Sequence, residues 1–310
     1  MRYGLRVLPV LAAVLGLSAC DENWDIGGNS ERYKEDFHFN HPLASGGRIT
    51  LDNFNGSVEI SGWDKDTVEI SGTKYANTES RLRDIRIDVT PSPGLIAIRT
   101  SRPSDRRGNS GARYVIHVPR KAELDGITSS NGAIRVEFLE GRVRLRTSNG
   151  AIRATNISGP LDAQTSNGSV EATAITGDAQ LRSSNGPIRA DVRRGSLEAR
   201  TSNGGINVRV EEADSKLVRL ESSNGRIELE MNVMREVHAE TSNSSITVRM
   251  PDSMGAQVRA HTSNSSITSD FDVSVSGGRL SKHHLEGKIG EGGPLLDLST
   301  SNGAIKLLRR

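Results

Sequence analysis

The amino-acid sequence predicts an all-β fold, a parallel β-solenoid (β-helix) with rungs of about 18–21 residues. The main observation is a tetrapeptide, Thr/Ser-Ser-Asn-Gly, that recurs along the chain, as in TSNGAI from Thr147 and SSNGPI from Ser183. Its asparagines stand 18 residues apart from Asn131 to Asn203, and later copies follow at steps of 21, 19, 21 and 38. A period near 20 residues is typical of solenoid repeats.

Apolar and polar residues alternate around each repeated asparagine. Val143, Leu145 and Thr147 lead at every second position to Asn149, and Ile152 starts a second alternating run. Such alternation predicts strands with one buried and one solvated face. Because identical residues recur at one phase, parallel stacking places the same residue type at the same position of neighbouring rungs. A hairpin meander does not do this.

Composition agrees with many short strands and tight turns. Aromatic residues make up only 4% of the 310 residues, while Gly, Ser, Thr and Asn are plentiful. The formal net charge is +2, so no strong overall field favours a nucleic-acid partner.

The N-terminus predicts export and lipid anchoring. Residues 1–19 have a basic start and a short apolar run, Val7–Leu17, which is too short to span a bilayer. The run ends in LSAC, which resembles a bacterial lipobox, so we expect lipid on Cys20, the only cysteine of the chain. The alternative is an ordinary secretory signal with a stray cysteine. Residues 20–45 are mostly polar and are interpreted as the lipidated end and a flexible tether.

The folded part is expected to have two sections. Residues 46–121 are interpreted as an irregular β section that caps the rod, although Ile49–Trp63 already shows the repeat pattern. Residues 122–310 are interpreted as the regular solenoid.

The repeated asparagines are expected to form a structural ladder at one corner of the rod. Their phase matches the buried positions, so we expect them to point inward, each amide donating to the carbonyl of the next rung. We also expect the asparagine to carry the positive φ of the corner, the following glycine being helpful but not obligatory. The ladder residues are Asn131, Asn149, Asn167, Asn185, Asn203, Asn224, Asn243, Asn264 and Asn302.

Three stretches carry a resemblance to a known family: Tyr114–Val136, the run of SNG repeats, and Gly287–Leu307. They resemble a family of bacterial exported proteins, grouped as putative adhesins of unknown function, that are built on β-solenoid repeats. The resemblance implies the fold for most of the chain after residue 46. It implies no catalytic or binding residue.

No pattern in the sequence indicates catalysis, a cofactor or a metal site. SNG does not match the GxSxG nucleophile motif, no phosphate-binding loop is present, and His283 and His284 lie next to each other in an irregular segment. Carboxylates that face outward are dispersed, so a carbohydrate-active β-helix enzyme is only a distant alternative.

Outward arginines near one phase suggest a basic stripe of Arg135, Arg153, Arg189 and Arg226. Such a stripe would suit an anionic envelope polymer, although it could equally be a solvated surface. The favoured hypothesis is a noncatalytic lipoprotein of the bacterial cell envelope that faces the periplasm and presents a binding or adhesive surface, to a polymer or a protein partner. The alternative is a structural rod that self-associates end to end, because the chain ends at SNGAIKLLRR without a segment to cover the last rung.

Overall fold

The protein is described by a computed structural model that covers residues 31–102, 109–212, 217–275 and 280–310. It is nearly all β, and the predicted parallel solenoid is confirmed. A single short helix, α1 (Glu79–Asp84), interrupts the described strands. The strands of the first half are β1 (Tyr33–Pro42), β2 (Arg48–Asn53), β3 (Val58–Trp63), β4 (Thr67–Ala76), β5 (Arg86–Ser92), β6 (Leu95–Ser101), β7 (Ser110–Pro119), β8 (Glu123–Ser129), β9 (Ile134–Leu139), β10 (Val143–Thr147), β11 (Ile152–Ile157), β12 (Leu161–Thr165), β13 (Val170–Thr176) and β14 (Ala179–Ser183). Those of the second half are β15 (Ile188–Arg194), β16 (Leu197–Thr201), β17 (Ile206–Val210), β18 (Val218–Ser222), β19 (Ile227–Met231), β20 (Val237–Thr241), β21 (Ile246–Met250), β22 (Ala256–Thr262), β23 (Ile267–Ser269), β24 (Val273–Ser274), β25 (Leu280–Ser281), β26 (His284–Ile289), β27 (Leu295–Thr300) and β28 (Ile305–Arg309).

Two sheets face each other across one apolar core. Each rung is a pair of consecutive strands, one in each sheet, and is named here by its strands, as in β10/β11. Neighbouring rungs pair in parallel, for example Val143 with Leu161 and Thr147 with Thr165. The inward side chains of these strands are 0–7% exposed, Leu145 and Ile152 among them at 0% and 1%. Because every rung buries the same positions, stacking extends a single continuous core along the rod.

The spatial order of the rungs differs from the chain order at both ends. Rung β2/β3 lies between β6/β7 and β8/β9. Rung β27/β28, the last in the chain, lies between β20/β21 and β22/β23. The expectation of an uncovered rung at SNGAIKLLRR is therefore wrong, because that rung is paired on both sides.

Antiparallel strands complete each end of the rod. At the N-terminal end β4 pairs with β7, β1 pairs with β4, and β5 pairs with β6. At the other end β26 runs antiparallel to β22, and β24 and β25 pair with β26. The predicted boundaries therefore shift: part of the expected tether, 20–45, is the ordered strand β1, and the section 46–121 contains two regular rungs beside its cap.

The N-terminal cap is anchored by a buried tyrosine. Tyr114 is 1% exposed, its Oη lies 2.6 Å from Thr100 Oγ1, and its ring packs edge-on against Phe37 of β1. Burial raises the pKa of Tyr114 to about 12. This contact joins the edge strand β1 to the core of the first rungs.

Candidate functional site

The repeated tetrapeptide forms one corner of the rod, and its three polar residues have different environments. The first residue, Thr or Ser, is buried. Thr165 Oγ1 donates to the carbonyl of Gly150 in the preceding rung at 2.9 Å and accepts from the N–H of Gly168 at 3.2 Å. The same pattern recurs at Thr147 and Thr201. The inward staple of each corner is thus the Thr/Ser hydroxyl.

The asparagines form a ladder along the outside of the corner. Each Nδ2 donates to the Oδ1 of the asparagine one rung earlier, at 2.7–2.8 Å, in the spatial order Asn131, Asn149, Asn167, Asn185, Asn203, Asn224, Asn243, Asn302 and Asn264. All nine residues are exposed, so the expectation that they point inward is wrong. The ladder also follows the insertion of the last rung, since Asn302 lies between Asn243 and Asn264.

The corner asparagines do not carry a positive φ either. Among the described residues other than glycine, positive φ values occur at Phe138 (59°), Asn156 (53°) and Ala174 (55°), at the far ends of β9, β11 and β13. The glycine of the repeat is needed for space instead. A Cβ on Gly168 would lie 1.9 Å from the carbonyl oxygen of Gly150.

A stability measurement can separate the buried hydroxyl from the exposed amide. Thr147→Val keeps the shape but leaves the buried carbonyl of Gly132 and the buried N–H of Gly150 without their partner, so we expect a loss of about 1–3 kcal/mol in the free energy of unfolding. Asn167→Ala breaks two links whose atoms water can reach, so we expect a loss below about 1 kcal/mol. Urea unfolding of both variants measures the difference. Equal losses, or a larger loss for Asn167→Ala, would contradict the assignment.

The predicted basic stripe is not continuous. Arg135, Arg153 and Arg189 lie on one outward row, but Glu171 stands between Arg153 and Arg189 and pairs with Arg153 at 2.9 Å. Arg226 lies on a different row, because Glu228 occupies the stripe position of its rung. Glutamates therefore interrupt the row, and it carries charges of both signs.

The serines of the repeat form a row beside the ladder, and all of them except the half-buried Ser130 are exposed. In each rung the backbone N–H of the asparagine donates to the carbonyl of the serine one rung earlier, which holds the row in register; Asn167 N to Ser148 O, at 2.9 Å, is one example. The row comprises Ser130, Ser148, Ser166, Ser184, Ser202, Ser223, Ser242, Ser301 and Ser263. The hydroxyls from Ser148 to Ser242 form no hydrogen bond with other described residues, so they are available to a ligand.

A groove of about 440 Å³, named here the serine groove, runs along the middle of this row. Four serines of the row line it, together with buried Thr and Ser residues of the repeat and a row of longer side chains on neighbouring strands of the same sheet. The serines are Ser184, Ser202, Ser223 and Ser242, and the longer side chains are Gln164, Arg182, Arg200, Glu221 and Glu240. Neither aromatic nor large aliphatic side chains line this groove.

The charges of the serine groove are balanced and paired. Arg200 contacts Glu198 at 2.9 Å and Glu221 at 3.2 Å, and Arg182 contacts Glu198 at 3.1 Å. Two arginines and two glutamates line the groove itself, so it offers fixed hydrogen-bonding groups without an excess of either sign.

Glu221 and Glu240 are neighbours on adjacent strands in the groove. The sequence did not predict this pair, because its outward carboxylates are dispersed. Glycoside hydrolysis requires one carboxyl that stays protonated, which an apolar setting provides. Glu221 instead forms ion pairs with Arg200 and Arg219, and Glu240 is exposed. This environment favours ligand contact over acid catalysis.

A serine–histidine pair lies on the other sheet, where the sequence offered no signal because the partners are 56 residues apart. Ser61 Oγ is 2.8 Å from His117 Nδ1, and the Trp63 ring stacks on the imidazole at a centroid distance of 5.1 Å. Glu69 is the strand neighbour of His117, but none of the carboxylates in the described parts of the chain forms an ion pair with that ring. The arrangement lacks the third group that would orient the base of a triad.

The remaining predicted site residues are placed as follows. Cys20 and the signal segment 1–19 lie outside the described residues. Within residues 31–102, 109–212, 217–275 and 280–310, groups of three or more His, Cys, Asp and Glu side chains suited to a metal are absent. His284 pairs across strands with His261, with ring centroids 6.1 Å apart. None of the described helices is long and apolar enough to cross a membrane.

Solved structures of three bacterial proteins are similar to this chain. A putative adhesin from Parabacteroides merdae is similar in structure, with a TM-score of 0.50 and 10% identity over 88% of this chain and 96% of that one. A putative adhesin from Bacteroides fragilis gives a TM-score of 0.42 and 13% identity over 88% and 97% of the two chains. A putative cell adhesion protein from Clostridium sporogenes gives a TM-score of 0.21 and 12% identity over 89% and 100%.

At such identities a structural likeness indicates the fold alone, and curated proteins provide no significant sequence match. The model of one family, Toastrack DUF4097, matches residues 45–308 and so spans nearly all of both sheets. The chain therefore belongs to the Toastrack DUF4097 family.

Proposed function

We propose that the protein is a noncatalytic, lipid-anchored protein of the bacterial cell envelope, and that its serine groove binds an uncharged, hydroxyl-rich linear polymer such as a neutral glycan. The observation that carries this proposal is the groove, in which serine hydroxyls without a hydrogen bond to other described residues repeat along the rungs. Rungs repeat at about 4.8 Å, so the groups that contact a ligand recur regularly along the rod. A polymer with its own regular repeat could use several rungs at once.

The chemistry of the groove favours a neutral ligand over an anionic one. The arginines that line it are already paired with glutamates, and the outward stripe that would have bound an anion is interrupted. Serine hydroxyls and the amide of Gln164 both donate and accept, which suits hydroxyl groups of a sugar. Because exposed charges contribute little to such binding, we expect its affinity to depend only weakly on salt.

Blocking the groove tests this proposal. Ser202→Tyr places a bulky side chain in the middle of the groove and should lower the affinity for neutral glycans by about tenfold or more, with the melting temperature unchanged. Ser148→Tyr is the matched control, because Ser148 belongs to the same row but lies outside the groove. Calorimetric titration against neutral and anionic polysaccharides measures both. Preference for anionic polymers, or equal losses in the two variants, would contradict the proposal.

The envelope location rests on the lipobox-like LSAC segment and on the adhesin descriptions of the structural neighbours. If Cys20 carries lipid, Cys20→Ser should abolish incorporation of labelled fatty acid and move the protein out of the membrane fraction. Several acyl chains anchor a protein stably, whereas an unmodified chain has only its surface to hold it. An unchanged membrane fraction in Cys20→Ser would contradict lipid anchoring.

A further inference from the structure

The last rung of the chain fills a slot between two rungs that precede it in sequence. The slot, named here the C-terminal slot, is the space between β20/β21 and β22/β23. In one sheet β27 pairs with β20 and β22, and in the other β28 pairs with β21 and β23. The last rung therefore pairs with the edges of four strands, β20, β21, β22 and β23.

The inserted rung makes the same contacts as any rung in the middle of the rod. Leu296, Leu298, Ile305 and Leu307 are all 0% exposed. Asn302 continues the ladder in both directions at 2.8 Å. The contacts of the slot thus match a segment with the repeat pattern.

Rung β22/β23 depends on this insertion. Strand β23 is the edge of its sheet, and β28 is the strand with which it pairs. Without β27/β28, the end of the rod would be joined to the remainder chiefly through the chain segment between β21 and β22. The last rung is therefore the main link between the two sides of the slot.

A glycine-rich segment connects the inserted rung to the strand before it. Residues 290–294 read GEGGP, and Gly290, Gly292 and Gly293 have φ values of 55°, 84° and 157°. Glycine adopts these conformations and extended ones with little difference in energy. The segment can consequently direct β27 back into its own slot or outward to another molecule.

We propose that two copies of this chain exchange their C-terminal rungs, residues 295–309, through the C-terminal slot. The partner is a second copy because only a segment with buried Leu and Ile at alternate positions and an asparagine at the corner reproduces the contacts of the slot. Exchange forms the same contacts as the monomer, so it differs mainly in the hinge and in the entropy of association. This inference concerns assembly and does not depend on the proposed ligand.

Cross-linking in the full chain tests the exchange. Glu240 and Ser299 are register partners on β20 and β27, so Glu240→Cys with Ser299→Cys, in a Cys20→Ser background, can form a disulfide between those strands. The protein is refolded at a series of concentrations, oxidised, and separated without reductant. We expect internally linked monomer at low concentration and covalent dimer that increases by about fivefold or more at high concentration.

A matched cross-link serves as the control. Gln164→Cys with Arg182→Cys links the consecutive strands β12 and β14, far from the slot, and should give internally linked monomer at every concentration. Deleting Gly292 and Gly293 should shift the protein toward dimer on a sizing column, since a shorter hinge hinders return to the same slot. Internally linked monomer alone at all concentrations, or equal dimer from the two cysteine pairs, would overturn the exchange.

Discussion

Arg235→Ala is expected to lower the free energy of unfolding by about 3–5 kcal/mol, the largest loss for a side chain outside the apolar core. Arg235 is 1% exposed and lies between β19 and β20. Its guanidinium donates to the carbonyls of Gly195 at 2.7 Å, Arg193 at 3.1 Å and Glu212 at 3.1 Å. These carbonyls belong to the turns of two preceding rungs, so one side chain holds three successive turns together.

The loss follows from removing a guanidinium that is almost fully buried and that donates to all three carbonyls, of which the contact to Gly195 is buried. Arg235→Lys retains the charge but not the planar fork of donors, so an intermediate loss is expected. Arg209→Ala is the control, because Arg209 forms an exposed ion pair with Glu230 at 3.2 Å, and such pairs contribute below about 1 kcal/mol. Urea denaturation measures all three. Arg235→Ala unfolding at the same urea concentration as Arg209→Ala would contradict the role given to Arg235.

Gly168→Ala should cost about 3 kcal/mol, at the upper end of the range for overpacking. The new Cβ would lie 1.9 Å from the carbonyl oxygen and 2.4 Å from the carbonyl carbon of Gly150. Both are backbone atoms of the adjacent rung, held by the hydrogen bonds of the corner. Relief requires separation of two rungs, which breaks those bonds.

A glycine with more space around it provides the control for that substitution. A Cβ on Gly205 would lie 3.4 Å from the nearest atom, the carbonyl oxygen of Arg226, which is an ordinary contact. Gly205→Ala should therefore change the melting temperature little. Similar melting temperatures for Gly168→Ala and Gly205→Ala would show that the corner does not need glycine for space.

Alternation in the sequence predicted the strands and the core, but it failed at the corner. In the sequence, every second residue from Val143 through Thr147 to Asn149 has the phase of a buried position. This predicted that Asn149 is buried. Strand β10 ends at Thr147, and beyond that point the backbone bends, so side chains no longer alternate between two faces. The buried role consequently belongs to Thr147, and the ladder lies outside.

The prediction of a continuous arginine stripe was wrong for a simpler reason. It grouped arginines whose distances from the repeated asparagine are only approximately equal. Arg135, Arg153 and Arg189 each follow a ladder asparagine by four residues, whereas Arg226 follows Asn224 by two. Counting four residues from every asparagine finds Glu171, Asn207 and Glu228 on the same row. The mixed charge of this row could have been predicted from the sequence.

The order of the rungs could not have been predicted from the repeat. A step of 38 residues before Asn302 leaves room for two rungs, and local pattern does not tell which neighbour the last rung selects. All rungs present similar edges, so the choice depends on the antiparallel cap and the hinge near residues 290–294. The serine groove likewise depends on which long side chains become neighbours in space.

We propose that the tetrapeptide combines an architectural corner with a binding row beside it. The melting temperature and the affinity for neutral glycan, measured in the same samples of Thr147→Val and Ser202→Tyr, test this most directly. Thr147 lies outside the serine groove, so we expect Thr147→Val to lose stability and retain affinity, and Ser202→Tyr to lose affinity and retain stability. Loss of affinity in Thr147→Val at an unchanged melting temperature would contradict the account.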